Sequence, residues 1–86
     1  MNIQDTLNER GERYGEFRDV ANTTQGMMDF VRNGRSSYEL TTAQQEALHM
    51  ICNKIARIVN GDPSYDDNWR DICGYSQLIL NELEKS

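Results

Sequence analysis

The sequence lacks the features that mark secreted, membrane-spanning and zinc-binding proteins. No apolar run approaches the ~20 residues that cross a bilayer, and the first residues show no basic segment followed by an apolar one. The chain has two cysteines, Cys52 and Cys73, and one histidine, His49. This is too few ligands for a structural zinc site, which takes about four. We therefore expect a soluble, cytoplasmic protein, with both thiols buried and reduced.

Positive charge is also scarce. Lysine and arginine number 9 against 14 acidic residues, which gives a formal net charge of -5. Proteins that bind nucleic acid neutralise phosphates with basic side chains, so this chain is a poor candidate for that role or for an anionic membrane. An acidic balance instead suits a protein that holds a divalent metal through carboxylates.

The length sets the domain organisation. With 86 residues, we expect one all-α domain over residues 1–86. A domain of this size buries only a modest part of its surface and is marginally stable alone. We therefore expect a homo-oligomer, such as a dimer.

Apolar residues recur with helical spacing in four segments, and no strand pattern is present. The predicted helices cover about residues 2–10, 16–32, 42–60 and 66–84. Gly11, followed by Tyr14-Gly15, should interrupt the first helix. Thr42 with Gln45 should form a capping box for the third helix, and Ser64 or Asp66 should cap the fourth. The short link between the last two helices predicts an antiparallel hairpin. The second helix should pack across this hairpin, after a short N-terminal helix.

A polar cluster on the hairpin is the candidate site. Asp67, Asn68 and Asp71 share one side of the fourth helix at i,i+3 and i,i+4 spacing. Antiparallel packing should bring Asn53, Lys54 and Arg57 of the third helix opposite them. Carboxylate and amide oxygens suit Mg²⁺, and a lysine or arginine suits a phosphate.

A structural interpretation of the same residues stays open. First-turn acids favour the helix dipole, and Asp71 could simply form a salt bridge with Lys54 or Arg57. Trp69 is typical of a core anchor whose N–H meets a loop carbonyl. Gly74, in mid-helix, indicates a close helix contact or room for a ligand.

Two stretches resemble a family of small phage- and prophage-encoded proteins of uncharacterised function. The first stretch is ERGERYGEF (residues 9–17). The second is NKIARIVNGDP (53–63) followed by DNWRDICGY (67–75).

The second stretch, residues 53–75, is also similar to part of the MazG-like all-α nucleoside triphosphate pyrophosphohydrolases. That resemblance implies helix pairs that hold Mg²⁺ at nucleotide phosphates through a first pattern, Glu-x-x-Glu, and a second pattern, Glu-x-x-Asp, in dimers or tetramers. Asp71 matches the final acid of the second pattern, Asn68 stands where its Glu would be, and the first pattern is essentially missing.

Two functions follow from these observations. The first is a nucleotide-binding protein or divergent hydrolase, with Mg²⁺ at Asp71, Asp67 or Asn68 and phosphate at Lys54, Arg57 and Asn53. The second is a non-catalytic phage protein that binds a host or phage partner through an exposed helix face. Met27, Met28 and Phe30 would contribute to that face.

Overall fold

The computed structural model describes residues 2–85, and within that span the protein has four α-helices and no strand. The helices are α1 (Ile3–Tyr14), α2 (Phe17–Arg32), α3 (Thr42–Asn60) and α4 (Asp66–Lys85), with a 3₁₀ helix at Ser37–Glu39 between α2 and α3. Met1 and Ser86, the ends of the expected domain, lie outside the described residues. The predicted all-α class is confirmed.

The first helix is longer than the sequence suggested. Asn2 caps it by accepting a hydrogen bond from the Asp5 backbone N–H, and the helix continues through Gly11 to Tyr14. The end comes at Gly15, whose φ of 87° is costly for any residue with a Cβ. The predicted end near Arg10 was wrong, because a glycine inside a helix costs only about 1 kcal/mol and does not by itself end it.

The N-cap of α3 was also predicted one residue late. Thr41, not Thr42, is the N-cap: its hydroxyl accepts from the Gln44 backbone N–H, and the Gln44 side chain accepts from the Thr41 N–H. The pairs Thr41–Gln44 and Thr42–Gln45 both fit the threonine–glutamine capping pattern. The side chain of Gln45 instead donates to the Leu40 carbonyl.

Helix α3 is the centre of the fold. It packs against α2 on one side and α4 on another, with α1 across one end. The side-chain amide of Asn60 ties α3 to α2 by donating to the Thr23 hydroxyl at 3.0 Å. The small core comprises Val20, Met28, Ala47, Cys52, Ala56 and Ile58. This packing is compatible with the predicted hairpin and packed helix, and dimerisation stays a prediction.

Several individual side chains differ from expectation. Trp69 is 53% exposed and so is not a core anchor, although its indole N–H does meet a loop carbonyl, that of Pro63, at 2.9 Å. Cys73 is exposed rather than buried. Met28 is buried, which removes it from the proposed partner-binding face, while Phe30 remains exposed.

Gly74 does not mark a close contact. A Cβ added there would meet no atom within 4 Å beyond its own helix neighbourhood. Among the described residues, no helix is both long enough and apolar enough to span a membrane.

Candidate functional site

The predicted pairing of α3 with α4 brings Lys54 and Asp71 together. The Lys54 ammonium lies 3.2 Å from the Asp71 carboxylate, and the lysine side chain is only 8% exposed, against 48% for the aspartate. This is the expected antiparallel juxtaposition. Because Asp71 neutralises a buried charge, a ligand that took either group would leave the other without its partner.

The other two predicted metal ligands face different surroundings. Asn68 is 1% exposed, and its side-chain N–H₂ has no hydrogen-bond partner within the described part of the chain. Asp67 is exposed and accepts a hydrogen bond from the Tyr65 hydroxyl at 3.0 Å. Residues 2–85 contain no group of three or more histidine, cysteine or acidic side chains placed to hold a metal. Mg²⁺ binding at Asp67, Asn68 and Asp71 stays a prediction.

The hydrogen bond to Asp67 has an electrostatic consequence. It raises the pKa of Tyr65 above the usual tyrosine value, with a smaller contribution from Tyr14, because a carboxylate that accepts the phenolic proton stabilises the neutral phenol.

The remaining predicted residues, Asn53 and Arg57, line a cleft between α1, α2 and α3. The cleft has a volume of about 580 Å³, within the usual range for small-molecule sites. Its walls come mainly from α1 and the α1–α2 turn. The structure therefore divides the predicted cluster in two: Lys54 and Asp71 form a salt bridge inside the hairpin, and Asn53 and Arg57 face the cleft.

Two arginines in the cleft share one aromatic ring. The guanidinium carbon of Arg57 lies 4.5 Å from the centre of the Tyr14 ring, and that of Arg10 lies 5.4 Å from it. Such cation–π contacts hold a guanidinium in place but do not neutralise it. Neither arginine forms a salt bridge with a carboxylate of residues 2–85, whereas the neighbouring Arg13 pairs with Glu9 at 2.8 Å.

Tyr65 supports Tyr14 from the loop before α4. The two rings meet edge to face, with centroids 5.7 Å apart, and Arg13 lies 5.2 Å from the centre of the Tyr65 ring. The Asp67 hydrogen bond holds the Tyr65 hydroxyl in turn. A chain of contacts thus runs from α4 through two rings to the cleft arginines, and it positions Tyr14.

Asn53 lines the same cleft. Its side-chain oxygen is buried and has no hydrogen-bond partner within residues 2–85. A buried polar atom without a partner costs about 1–3 kcal/mol, and native proteins keep few of them.

Sequence reasoning missed the contribution of α1. Arg10 and Tyr14 line the cleft, with the carboxylates of Glu12 and Glu16 beside them. All four belong to the stretch at residues 9–17 that carried the family resemblance, to which no role was assigned. The signal was present, but the predicted break at Gly11 separated Tyr14 from the helix that positions it.

Comparison with known proteins identifies a family without an assigned activity. No curated protein and no solved structure is significantly similar to the chain. A family model described as a domain of unknown function, DUF6378, matches residues 3–83. Because this match spans nearly all of the sequence, the chain belongs to the DUF6378 family.

Proposed function

We propose that the protein binds a nucleotide in the cleft between α1, α2 and α3, with Arg10 and Arg57 at the phosphates and Asn53 at the base or sugar. The observation that carries this proposal is the pair of guanidiniums on Tyr14 without a carboxylate partner within residues 2–85. In a chain with net charge -5, such a pair is a specific place for an anion to bind.

Arginine is well suited to this role. Its planar guanidinium can donate two parallel hydrogen bonds to a phosphate, and it stays charged at any physiological pH. Stacking on Tyr14 fixes part of the side-chain conformation before the ligand arrives. Less conformational entropy is then lost on binding, which favours affinity.

The size and polarity of the cleft favour a nucleotide over inorganic phosphate. A volume of about 580 Å³ can hold a base and sugar as well as phosphates. Asn53 lines the cleft, and an amide side chain can exchange hydrogen bonds with a base or a ribose hydroxyl.

Glu12 and Glu16 would repel a free triphosphate, so the cleft should prefer a complex in which Mg²⁺ shields the phosphate charge. In this form the Mg²⁺ predicted from the sequence arrives with the nucleotide. The proposal also holds that the protein is cytoplasmic, phage-encoded and related to the MazG-like enzymes. This part of the proposal rests on the resemblance alone. Whether the bound nucleotide is hydrolysed is tested separately, by analysing the products in the same samples.

Calorimetry tests the proposal. Wild-type protein is titrated with a panel of ribo- and deoxynucleoside triphosphates, with and without Mg²⁺, beside Arg57→Gln and Arg70→Gln. Arg70 is the matched control, because it is an exposed arginine on α4 that already pairs with Asp66. Loss of a charge-assisted hydrogen bond should weaken binding by Arg57→Gln about 10- to 100-fold, and Arg70→Gln should match wild type.

Ion-exchange analysis of the same samples reports whether monophosphate and pyrophosphate accumulate. If wild-type protein shows no heat of binding at millimolar nucleotide, the proposal fails. It also fails if Arg70→Gln weakens binding as much as Arg57→Gln.

A further inference from the structure

The helices form a layer with one uncovered face. α3 packs between α2 and α4, and α1 lies across the side of α3 that carries Arg57, where Tyr14 covers the guanidinium. Ile55 and Val59 are each two residues from Arg57 in the sequence, which places them roughly 160° from it around α3. They are 37% and 65% exposed. Helices normally bury an apolar stripe against a second layer, and no described part of this chain supplies one there.

Helix α4 extends the same face. Asp71 lies on the α1 side of the hairpin, because it pairs with Lys54, which neighbours Arg57 on α3. Trp69, Leu80 and Leu83 lie about 120–180° from Asp71 around α4. They are therefore on the side of the hairpin that carries Ile55 and Val59. All three remain about half exposed.

We define the open face by the exposed apolar residues of this surface: Ile55, Val59, Trp69, Cys73, Leu80 and Leu83. Charged residues border it, because helical spacing places the exposed Asp66 and Glu84 about 20° from Cys73 around α4. The stripe on α4 is wide because its inner edge packs on α3 while its outer edge meets solvent. Ile72 and Ile79 lie between the two edges and are partly buried.

The amount of surface points to the occupant. A compact monomer of this mass is expected to expose about 5,200 Å², whereas this chain exposes 6380 Å². Its radius of gyration is 14.7 Å, against about 12 Å expected for its length. The excess area is about 1,100 Å² per chain, so two copies that each covered it would bury roughly 2,200 Å² in total, as obligate homodimers do.

We propose that the open face is the interface of a two-fold symmetric homodimer, in which α3 and α4 of one copy pack against α3 and α4 of the other. A two-fold axis brings the same patch of each chain together, so an apolar patch packs on its own copy. The cleft lies on the opposite side of the layer and stays open in this dimer. The inference does not depend on the proposed nucleotide binding.

Sedimentation equilibrium of the full chain tests the interface. Wild type is compared with Leu80→Glu and with Leu78→Glu, a matched control because Leu78 is also an exposed leucine of α4 but lies outside the open face. Wild type and Leu78→Glu should sediment at twice the 10.0 kDa chain mass. Leu80→Glu should weaken the dimer on the order of a hundredfold, because its carboxylate would be buried without a partner.

Thiol reactivity gives a second measurement that does not require a substitution. Cys73 lies on the open face, and burial raises the pKa of the Cys52 thiol, so Cys73 should react first. Its rate of modification should rise as wild-type protein is diluted. A wild-type mass of 10.0 kDa at every concentration, a rate that does not change with dilution, or equal dissociation by both glutamate variants would each overturn the proposal.

Discussion

The backbones of Gly15 and Gly61 lie against one another, so that the α1–α2 turn packs on the α3–α4 turn. A Cβ on Gly61 would lie 2.6 Å from the Gly15 nitrogen and 2.5 Å from the Arg13 carbonyl oxygen. The Asp62 N–H donates to the same Arg13 carbonyl at 3.0 Å. This contact fixes the end of α1, and therefore Tyr14, against the hairpin that carries Arg57.

Gly61→Ala should destabilise the fold. Its methyl group meets backbone rather than a flexible side chain, so the two turns must separate, at a cost of about 1–3 kcal/mol. Urea unfolding followed by circular dichroism measures the change. Gly74→Ala is the control: its Cβ meets open space, and replacing a glycine inside a helix should stabilise by up to about 1 kcal/mol. If Gly61→Ala is as stable as wild type, the two turns do not pack as described.

Asp71→Asn should lower stability without weakening nucleotide binding. It leaves the buried Lys54 ammonium without its counter-charge, and we expect a loss of about 1–3 kcal/mol, below that of a fully buried pair because Asp71 is half exposed. Lys54→Met combined with Asp71→Asn should recover most of this loss. Denaturant titration and calorimetry with Mg²⁺-nucleotide give the two readouts. A large loss of nucleotide affinity at unchanged stability would instead favour Asp71 as a metal ligand.

Tyr65 should ionise at higher pH than an ordinary tyrosine. The Asp67 hydrogen bond raises the pKa of the Tyr65 phenol in the folded state. Its contribution to stability is therefore complete below the unfolded value of about 10 and is lost as pH rises through the raised folded value. Ultraviolet absorbance of the phenolate follows this titration. In Asp67→Asn the highest tyrosine midpoint should move down, and an unchanged titration would show that the hydrogen bond does not form.

Asn53→Ala should separate stability from binding. In the free protein the substitution removes a buried oxygen that has no partner among the described residues, so stability should fall by less than about 1 kcal/mol or rise. Nucleotide affinity should fall about tenfold, because the ligand loses the amide side chain as a hydrogen-bond partner. Thermal unfolding with and without Mg²⁺-nucleotide measures both effects. An equal shift of the midpoint by nucleotide in wild type and variant would exclude Asn53 from the site.

The sequence predicted the hairpin and, as one of two alternatives, a salt bridge from Asp71 to Lys54 or Arg57, because both depend on local spacing. The link between α3 and α4 is short, so Lys54 and Asp71 had to approach one another once both helices were recognised. The capping box of α3 was one residue out, since Thr41–Gln44 and Thr42–Gln45 fit the same pattern and only the backbone geometry at Thr41 decides between them.

The cleft could not be predicted in the same way. It depends on where α1 lies, and that is set by the contact between Gly15 and Gly61, which are far apart in the chain. Helical spacing places Asn53 and Lys54 side by side, but it does not show that one faces a cleft and the other a salt bridge. The exposure of Trp69 and Cys73 was missed for a related reason. Periodicity identifies an apolar stripe but not which helices cover it.

The most direct test of nucleotide binding in the cleft is a nuclear magnetic resonance titration of isotopically labelled protein with Mg²⁺-nucleotide. The side-chain resonances of Asn53, Arg10 and Arg57 report on the cleft, and the backbone amides of Asp67 and Asp71 report on the hairpin. We expect saturable shifts at the cleft resonances, with much smaller changes at Asp67 and Asp71. Shifts centred on Asp67 and Asp71, with the three cleft side chains unchanged at saturation, would contradict this account.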